Sequence, residues 1–130
     1  LYNEIKKFDR KVFFVYGGTT TDTREKIRAI TEKEKDAIIV ASYGTFSTGI
    51  NIRAINNIVF ASPSKSRIRV LQSIGRGLRQ NDDKSKVKLS DVSDNISYKS
   101  RPNFTYRHFN ERLNIYKEEQ FKYEINRINL

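Results

Sequence analysis

The chain has 130 residues, 37% hydrophobic and 31% charged, a balance that suits a soluble globular domain with a modest core and argues against disorder. A formal net charge of +10 favours a polyanionic partner, nucleic acid first, although a solubilising surface would carry the same sign. There is no cysteine, His108 is the only histidine, and no apolar run approaches ~18 residues, so disulfides, thiolate or histidine metal clusters and a membrane-spanning helix are excluded.

Residues 1–10 alternate charged and apolar groups and resemble neither a signal peptide nor an initiator start. A preceding segment of the domain is therefore expected. Val12-Phe13-Phe14-Val15-Tyr16 is a run of β-branched and aromatic residues. Ala37-Ile38-Ile39-Val40-Ala41 is a second such run, and Ile58-Val59-Phe60-Ala61 a third. Continuous apolar runs of this length predict strands buried on both faces, as in a parallel sheet. Between the first two, residues 22–35 predict a helix with Asp22 as N-cap, Glu25 in a capping box, and Ile27 and Ile30 as its apolar stripe. Ser62-Pro63-Ser64 is a helix-start signal for a long helix over about 65–80. Residues 86–91 alternate Val87 and Leu89 with polar groups and predict a fourth, half-exposed strand. Residues 94–102 read as a loop. Tyr106, Phe109, Leu113 and Tyr116 recur at helical spacing, and Phe121, Tyr123 and Ile125 alternate as a closing strand. The β-α-β-α order predicts an α/β layered domain with right-handed crossovers.

Ligands of open α/β sheets gather beyond the carboxyl ends of the strands. Here those ends run into Gly17-Gly18-Thr19, into residues 42–49, and into Ser62-Pro63-Ser64. Glycines and hydroxyls there can cradle phosphate oxygens, though each loop taken alone is ordinary turn chemistry. Two near-motifs fail. Residues 44–51 have the spacing of a phosphate-binding loop after a strand, but Ile50 and Asn51 stand where lysine and Ser/Thr are required. Gly75-Arg76-Gly77 begins like a dinucleotide fingerprint, yet it lacks the third glycine and sits late in a helix.

The most informative segment is Gln72-Ser73-Ile74-Gly75-Arg76-Gly77-Leu78-Arg79. At ~100° per residue, Arg69, Gln72, Arg76 and Arg79 share one stripe, and Leu71, Ile74 and Leu78 form the expected core-facing side. Gly75 and Gly77 each cost about 1 kcal/mol against alanine in a helix interior, so either something approaches closely or the helix ends there. Guanidiniums are permanently charged, bidentate phosphate binders, and a row of them suits arginine fingers in phosphoryl transfer. A solvated basic face or a phosphate-backbone clamp fits the same periodicity.

At these residues the chain resembles a known family. Gln72-x-x-Gly75-Arg76-x-x-Arg79 is similar to motif VI of superfamily 2 helicases, and residues 42–51 resemble motif V. Tyr16-Gly17-Gly18 with Arg24-Glu25 resembles the family's first strand-loop-helix. The resemblance covers residues 1 to about 94. The tail, residues 103–130, resembles the helix and final strand of UvsW-type phage helicases, which remodel branched DNA. The resemblance implies one RecA-like C-terminal motor domain over residues 1–130, with a mainly parallel central sheet flanked by helices.

It further implies that Arg76 and Arg79 reach the γ-phosphate of ATP, with Gln72, Gly49 and Asn51 at the nucleotide. Many members have aspartate where this chain has Asn51, so the chain departs from the family's pattern for a ribose contact there. Gly17, Gly18, Arg24, Ser42 and Thr45 would touch the nucleic-acid backbone, reading shape and charge. ATP with Mg²⁺ would be held mainly by an N-terminal RecA-like domain that this sequence lacks, so the chain alone is expected to be inactive. The implied partners are branched or single-stranded DNA and that N-terminal domain. The implied setting is the cytoplasm, that of the host if the protein is phage-encoded. A non-enzymatic basic α/β nucleic-acid-binding module, an RNA helicase and a double-strand translocase of the same superfamily are the alternatives. Elsewhere, His108 reads as a boundary residue, Asp91 and Asp94 as strand-end solvation, and the aromatic stripe of residues 106–116 as core packing.

Overall fold

The computed structural model describes residues 1–49, 51–52, 55–78 and 86–129. In chain order its elements are α1 (Tyr2–Ile5), β1 (Lys11–Val15), α2 (Thr21–Lys33), β2 (Ala37–Ala41), α3 (Tyr43–Gly49), β3 (Asn57–Phe60), α4 (Arg67–Gly77), β4 (Lys88–Asp91) and α5 (Phe104–Glu118). They gather into two compact units, one of Leu1–Ile58 with Ile68–Ser90, the other of Val59–Arg67 with Asp91–Leu130.

In the first unit, β1 and β2 pair in parallel, from Lys11↔Ala37 to Val15↔Ala41. The connection runs through α2, as the alternation of apolar runs and helical spacing predicts. Val15, Ile27 and Ile52 form a buried cluster, with Phe13, Ile39, Ala41, Phe46 and Ile55 packed on it. The expectation of two-sided burial fails for β1, and also for β3, where Ile58 and Phe60 are buried and Val59 is 61% exposed. Phe14 is 47% exposed, and its ring is flanked by those of Tyr2 and Tyr16 at centroid distances of 5.4 and 5.5 Å. Aromatic neighbours shield part of Phe14 without a second layer of core.

The N-cap of α2 is Thr20 and not Asp22. Thr20 Oγ1 accepts from the Thr23 amide at 3.3 Å. Asp22 falls inside the first turn, where its charge complements the helix dipole. On α4 the buried residues are Val70, Ser73, Ile74 and Gly77, spaced at helical period. Leu71 is half-buried and Leu78 is 56% exposed, so of the expected apolar side only Ile74 is fully inside. The reason is close approach. A Cβ on Gly77 would meet Ile58 Cδ1 at 2.6 Å and Val87 Cγ1 at 2.9 Å. The small residues let the helix backbone descend on that side and turn Leu78 outward. Gly77 is also where the helix ends.

In the second unit, the Val92 amide donates to the Phe60 carbonyl at 3.0 Å. Arg112 of α5 is fully buried. It donates to both carboxylate oxygens of Asp91, at 2.8 and 2.6 Å, and to the Ser64 carbonyl at 3.0 Å. The Tyr116 hydroxyl donates to Asp91 at 2.7 Å. Asp91 is therefore the counter-ion of a buried guanidinium and not a solvated strand end. Arg67 reaches Glu118 and Glu119 on the exposed side of α5.

Residues 119–129 contain no strand, which corrects the expected closing strand. Gln120 adopts φ 57°, its amide donates to the Lys117 carbonyl at 3.1 Å, and the Phe121 amide donates to the Tyr116 carbonyl at 2.9 Å. These are the paired bonds of a Schellman helix end. The chain turns back, and the Phe121 and Tyr123 rings lie 6.5 and 6.3 Å from that of Tyr116. Phe121 and Tyr123 are thus used for packing on α5 and not for sheet pairing, while Ile125 is 53% exposed.

Candidate functional site

The candidate residues that the structure describes all lie in the first unit, in the segments after β1 and β2 and on α4. After β1 the chain closes a tight turn: the Tyr16 amide donates to Thr19 Oγ1 at 3.0 Å, and the Thr19 amide to the Tyr16 carbonyl at 3.0 Å. Gly17 and Gly18 occupy its exposed crest. A Cβ on Gly18 would stand 2.7 Å from the Tyr16 ring, so the aromatic side chain at the strand end requires a glycine there. Arg24, one turn into α2, donates Nη2 to the carbonyls of Tyr16 and Gly17 at 3.3 and 3.1 Å. Its Nε is buried without a hydrogen-bond partner among the described residues.

After β2, residues 43–49 form helix α3 where the sequence suggested a loop. Ser42 starts it: the Thr45 amide donates to Ser42 Oγ at 3.3 Å, and the two hydroxyls are 2.9 Å apart. Ser42 three residues before a hydroxyl partner is the capping signal that reading these residues as a loop passes over. Phe46, on the inner side, anchors the helix to the core. Thr45 is buried and Ser42 exposed, so of the two candidate backbone-contact hydroxyls only Ser42 is open to solvent. At the other end of α3, a Cβ on Gly49 would come 2.5 Å from Arg24 Nη1 and 3.8 Å from Thr45 Cγ2. Gly49 is the place where the α2 guanidinium seats against α3.

The last turn of a helix leaves carbonyls without intrahelical partners. In α3 the carbonyl of Ser47 is taken by Arg76 Nη2 of α4, at 3.0 Å. Arg76 is thereby fixed at the carboxyl end of α3, half-buried, where a cation complements the helix dipole. Gln72, one turn before it, is exposed, as are Arg69 and Asn51. Arg79 lies outside the described residues. The structure thus brings Gly17, Arg24, Thr45 and Gly49 together, and ties Arg76 to the same helix. It leaves Gln72 and Asn51 at the surface. The residue that sequence reasoning missed is Ser47, which acts through its backbone and leaves no side-chain signal.

Arg76 with the exposed amide of Gln72 suits phosphate oxygens. Among the described residues there is no group of three or more His, Cys, Asp or Glu poised for a metal ion. Among the described residues no helix is long and apolar enough to cross a membrane.

Residues 2–81 match the family described as helicase conserved C-terminal domain. The whole chain is 35% identical over 140 aligned positions to an ATP-dependent DNA helicase, uvsW, of Enterobacteria phage T4, and covers 28% of it. Over 81% of its length it is 30% identical to a protein of Methanocaldococcus jannaschii whose name proposes an ATP-dependent RNA helicase, and covers 12% of that protein. The chain thus spans only a part of the curated relatives it matches. Among solved structures, the C-terminal part of the Fun30 ATPase domain aligns with a TM-score of 0.63 at 18% identity, covering 89% of this chain and 43% of that one. That likeness assigns the RecA-like α/β fold. With the matched family spanning more than half of the chain and every residue from β1 to α4, the chain belongs to the helicase conserved C-terminal domain family.

Proposed function

We propose that this chain is the second motor domain of an ATP-dependent DNA helicase or translocase acting on branched DNA. In that reading residues 1–130 work as one domain against an N-terminal RecA-like domain that holds ATP and Mg²⁺. The observation that carries the proposal is the Arg76–Ser47 bond, which fixes a guanidinium of α4 on the helix that follows β2. Arg76 and Arg79 reach the γ-phosphate across the domain interface and stabilise the charge that develops there. Such fingers contribute on the order of 10³–10⁵ in rate. Gln72 orients them, and Gly49 and Asn51 lie near the nucleotide. Gly17, Gly18 and Ser42 form the grip on the nucleic-acid backbone, with the buried Thr45 bonded to the Ser42 hydroxyl and supporting it from beneath. Arg24 serves it by fixing the carbonyls of Tyr16 and Gly17, so that the glycine crest keeps one shape.

ATP, when bound, supplies the free energy of phosphoryl cleavage. This chain's part is to sense it through Arg76 and pass the change to α3 through Ser47. Since Arg24 seats on Gly49 at the end of α3, a shift of α3 moves the glycine crest as well. Alternating closure and opening of two domains then steps along a strand. The chain by itself neither hydrolyses ATP nor moves on DNA, and the complete protein works in the cytoplasm. DNA as the substrate is supported by the phage relative named as a DNA helicase. An RNA substrate is the second reading, supported by the relative whose name proposes an RNA helicase.

The test is ATP hydrolysis by the complete polypeptide, with and without forked DNA, comparing native protein with Arg76→Ala and Arg79→Ala. Stimulation by DNA, and a loss of ~3 kcal/mol or more of transition-state stabilisation in either variant, is the expected result. Unchanged hydrolysis with weakened DNA binding would make the stripe a backbone clamp and the chain a binding module. Stimulation by RNA and not DNA would select the second reading.

A further inference from the structure

Between β4 and α5 the chain makes a projection that the motor reading does not use. The Tyr98 amide donates to the Arg101 carbonyl at 3.2 Å, and the Arg101 amide to the Tyr98 carbonyl at 3.0 Å. Lys99 and Ser100 are the two residues at the tip of this turn. Its base is pinned to the start of α5: Asn103 Nδ2 and Thr105 Oγ1 both donate to the Asp94 carbonyl, at 3.1 and 3.0 Å. The turn is a built element with a fixed root.

Its tip carries an unusual choice of residue. Lys99 has φ 53°, in the left-handed region that glycine occupies without steric cost and a lysine does not. A two-residue hairpin turn with a positive φ at its first central position prefers glycine there. The lysine's side chain is what distinguishes it from the residue that suits the backbone. Its Nζ lies 5.4 Å from the centroid of the Tyr98 ring, within cation–π range. Tyr98 itself is 74% exposed, and Arg101 is exposed on the other side of the turn.

We propose that this turn is a stacking site for a nucleobase of single-stranded nucleic acid, with Tyr98 as the platform and Lys99 and Arg101 holding the neighbouring phosphates. The proposal rests on the reading of the chain as a nucleic-acid motor. An exposed aromatic ring flanked by cations is the combination single-stranded nucleic acid requires, since every base has a π-face and every linkage a negative charge. The chain's net charge of +10 favours the same ligand.

The experiment uses the complete polypeptide and a single-stranded oligonucleotide carrying 2-aminopurine, alongside a duplex of the same sequence. Tyr98→Ala is expected to weaken single-strand binding about tenfold and to abolish stacking-induced quenching of the probe, while Tyr98→Phe retains both. The double variant Lys99→Ala, Arg101→Ala is expected to lower the slope of log affinity against log salt by about 1.4, the release of two phosphate contacts on a single strand. Lys99→Gly relieves the backbone and is expected to raise the unfolding temperature while weakening binding, an opposition that a purely structural lysine would not produce. If Tyr98→Ala binds and quenches as the native protein does, or weakens duplex and single strand equally, the stacking site is refuted and the motor reading stands. If the native protein binds neither oligonucleotide, both fall.

Discussion

The guanidinium of Arg24 occupies the space in which a side chain at position 49 would begin: a Cβ on Gly49 would lie 2.5 Å from Arg24 Nη1. The same guanidinium holds the carbonyls of Tyr16 and Gly17. Gly49→Ala therefore makes the Arg24 guanidinium swing off the glycine turn and is expected to cost about 0.5–1.5 kcal/mol, the range for a lost hydrogen bond. In an Arg24→Ala background the clash is gone, and the same substitution is expected to be neutral or to stabilise by up to about 1 kcal/mol, the helical preference for alanine over glycine. A double-mutant cycle by chemical denaturation reads the difference. Additive effects would mean that the two residues do not meet.

Asp91 neutralises a guanidinium that has no exposure to water. Asp91→Ala leaves Arg112 charged and buried, and is expected to destabilise by about 3–5 kcal/mol. Tyr116→Phe removes one bond to the same carboxylate and is expected to cost about 1.5–3 kcal/mol, as for a hydrogen bond to a charged group. Equilibrium unfolding of both variants checks the ranking, and an Asp91→Ala protein as stable as Tyr116→Phe would contradict it.

Helix α2 offers a test of which residue caps it. Thr20→Ala removes the acceptor for the Thr23 amide and is expected to lower stability by about 1 kcal/mol. Asp22→Ala loses only a charge in the first turn and is expected to cost less, within about 0.3–1 kcal/mol and declining with added salt. Thermal melts at low and high ionic strength separate the two effects.

His108 is held below its ordinary pKa of 6.5 first by burial, then by the positive charges of Lys65, Arg112 and Arg107, with Glu111 opposing. Its Nδ1 is buried without a hydrogen-bond partner among the described residues, and its ring lies 4.0 Å from that of Phe104. The unfolded chain binds the proton more readily than the folded one, so stability rises with pH in this window. The contribution is whole above pH 6.5 and is lost as pH falls below it toward the folded-state value. Stability measured across that range is expected to slope more steeply in the native protein than in His108→Gln. Parallel curves would mean that the imidazole titrates alike in both states.

Strands β1 to β4 with helices α2, α4 and α5, the motif spacing on α4 and the net charge were legible in the residues alone, because periodicity and local chemistry are properties of the chain segment itself; α1, α3 and the strandless tail were not. The family followed from the same source. The tertiary structure alone decided which side of α4 is inside, since that depends on Ile58 and Val87 closing on Gly77. It also decided that residues 43–49 are a helix, because Phe46 finds a core to bury in. The partners of Arg24, Arg76 and Arg112 were hidden for one physical reason. Each guanidinium bonds at least one backbone carbonyl, at Tyr16 and Gly17, at Ser47, and at Ser64 respectively. A carbonyl is present at every position, so only the fold selects which one an arginine meets.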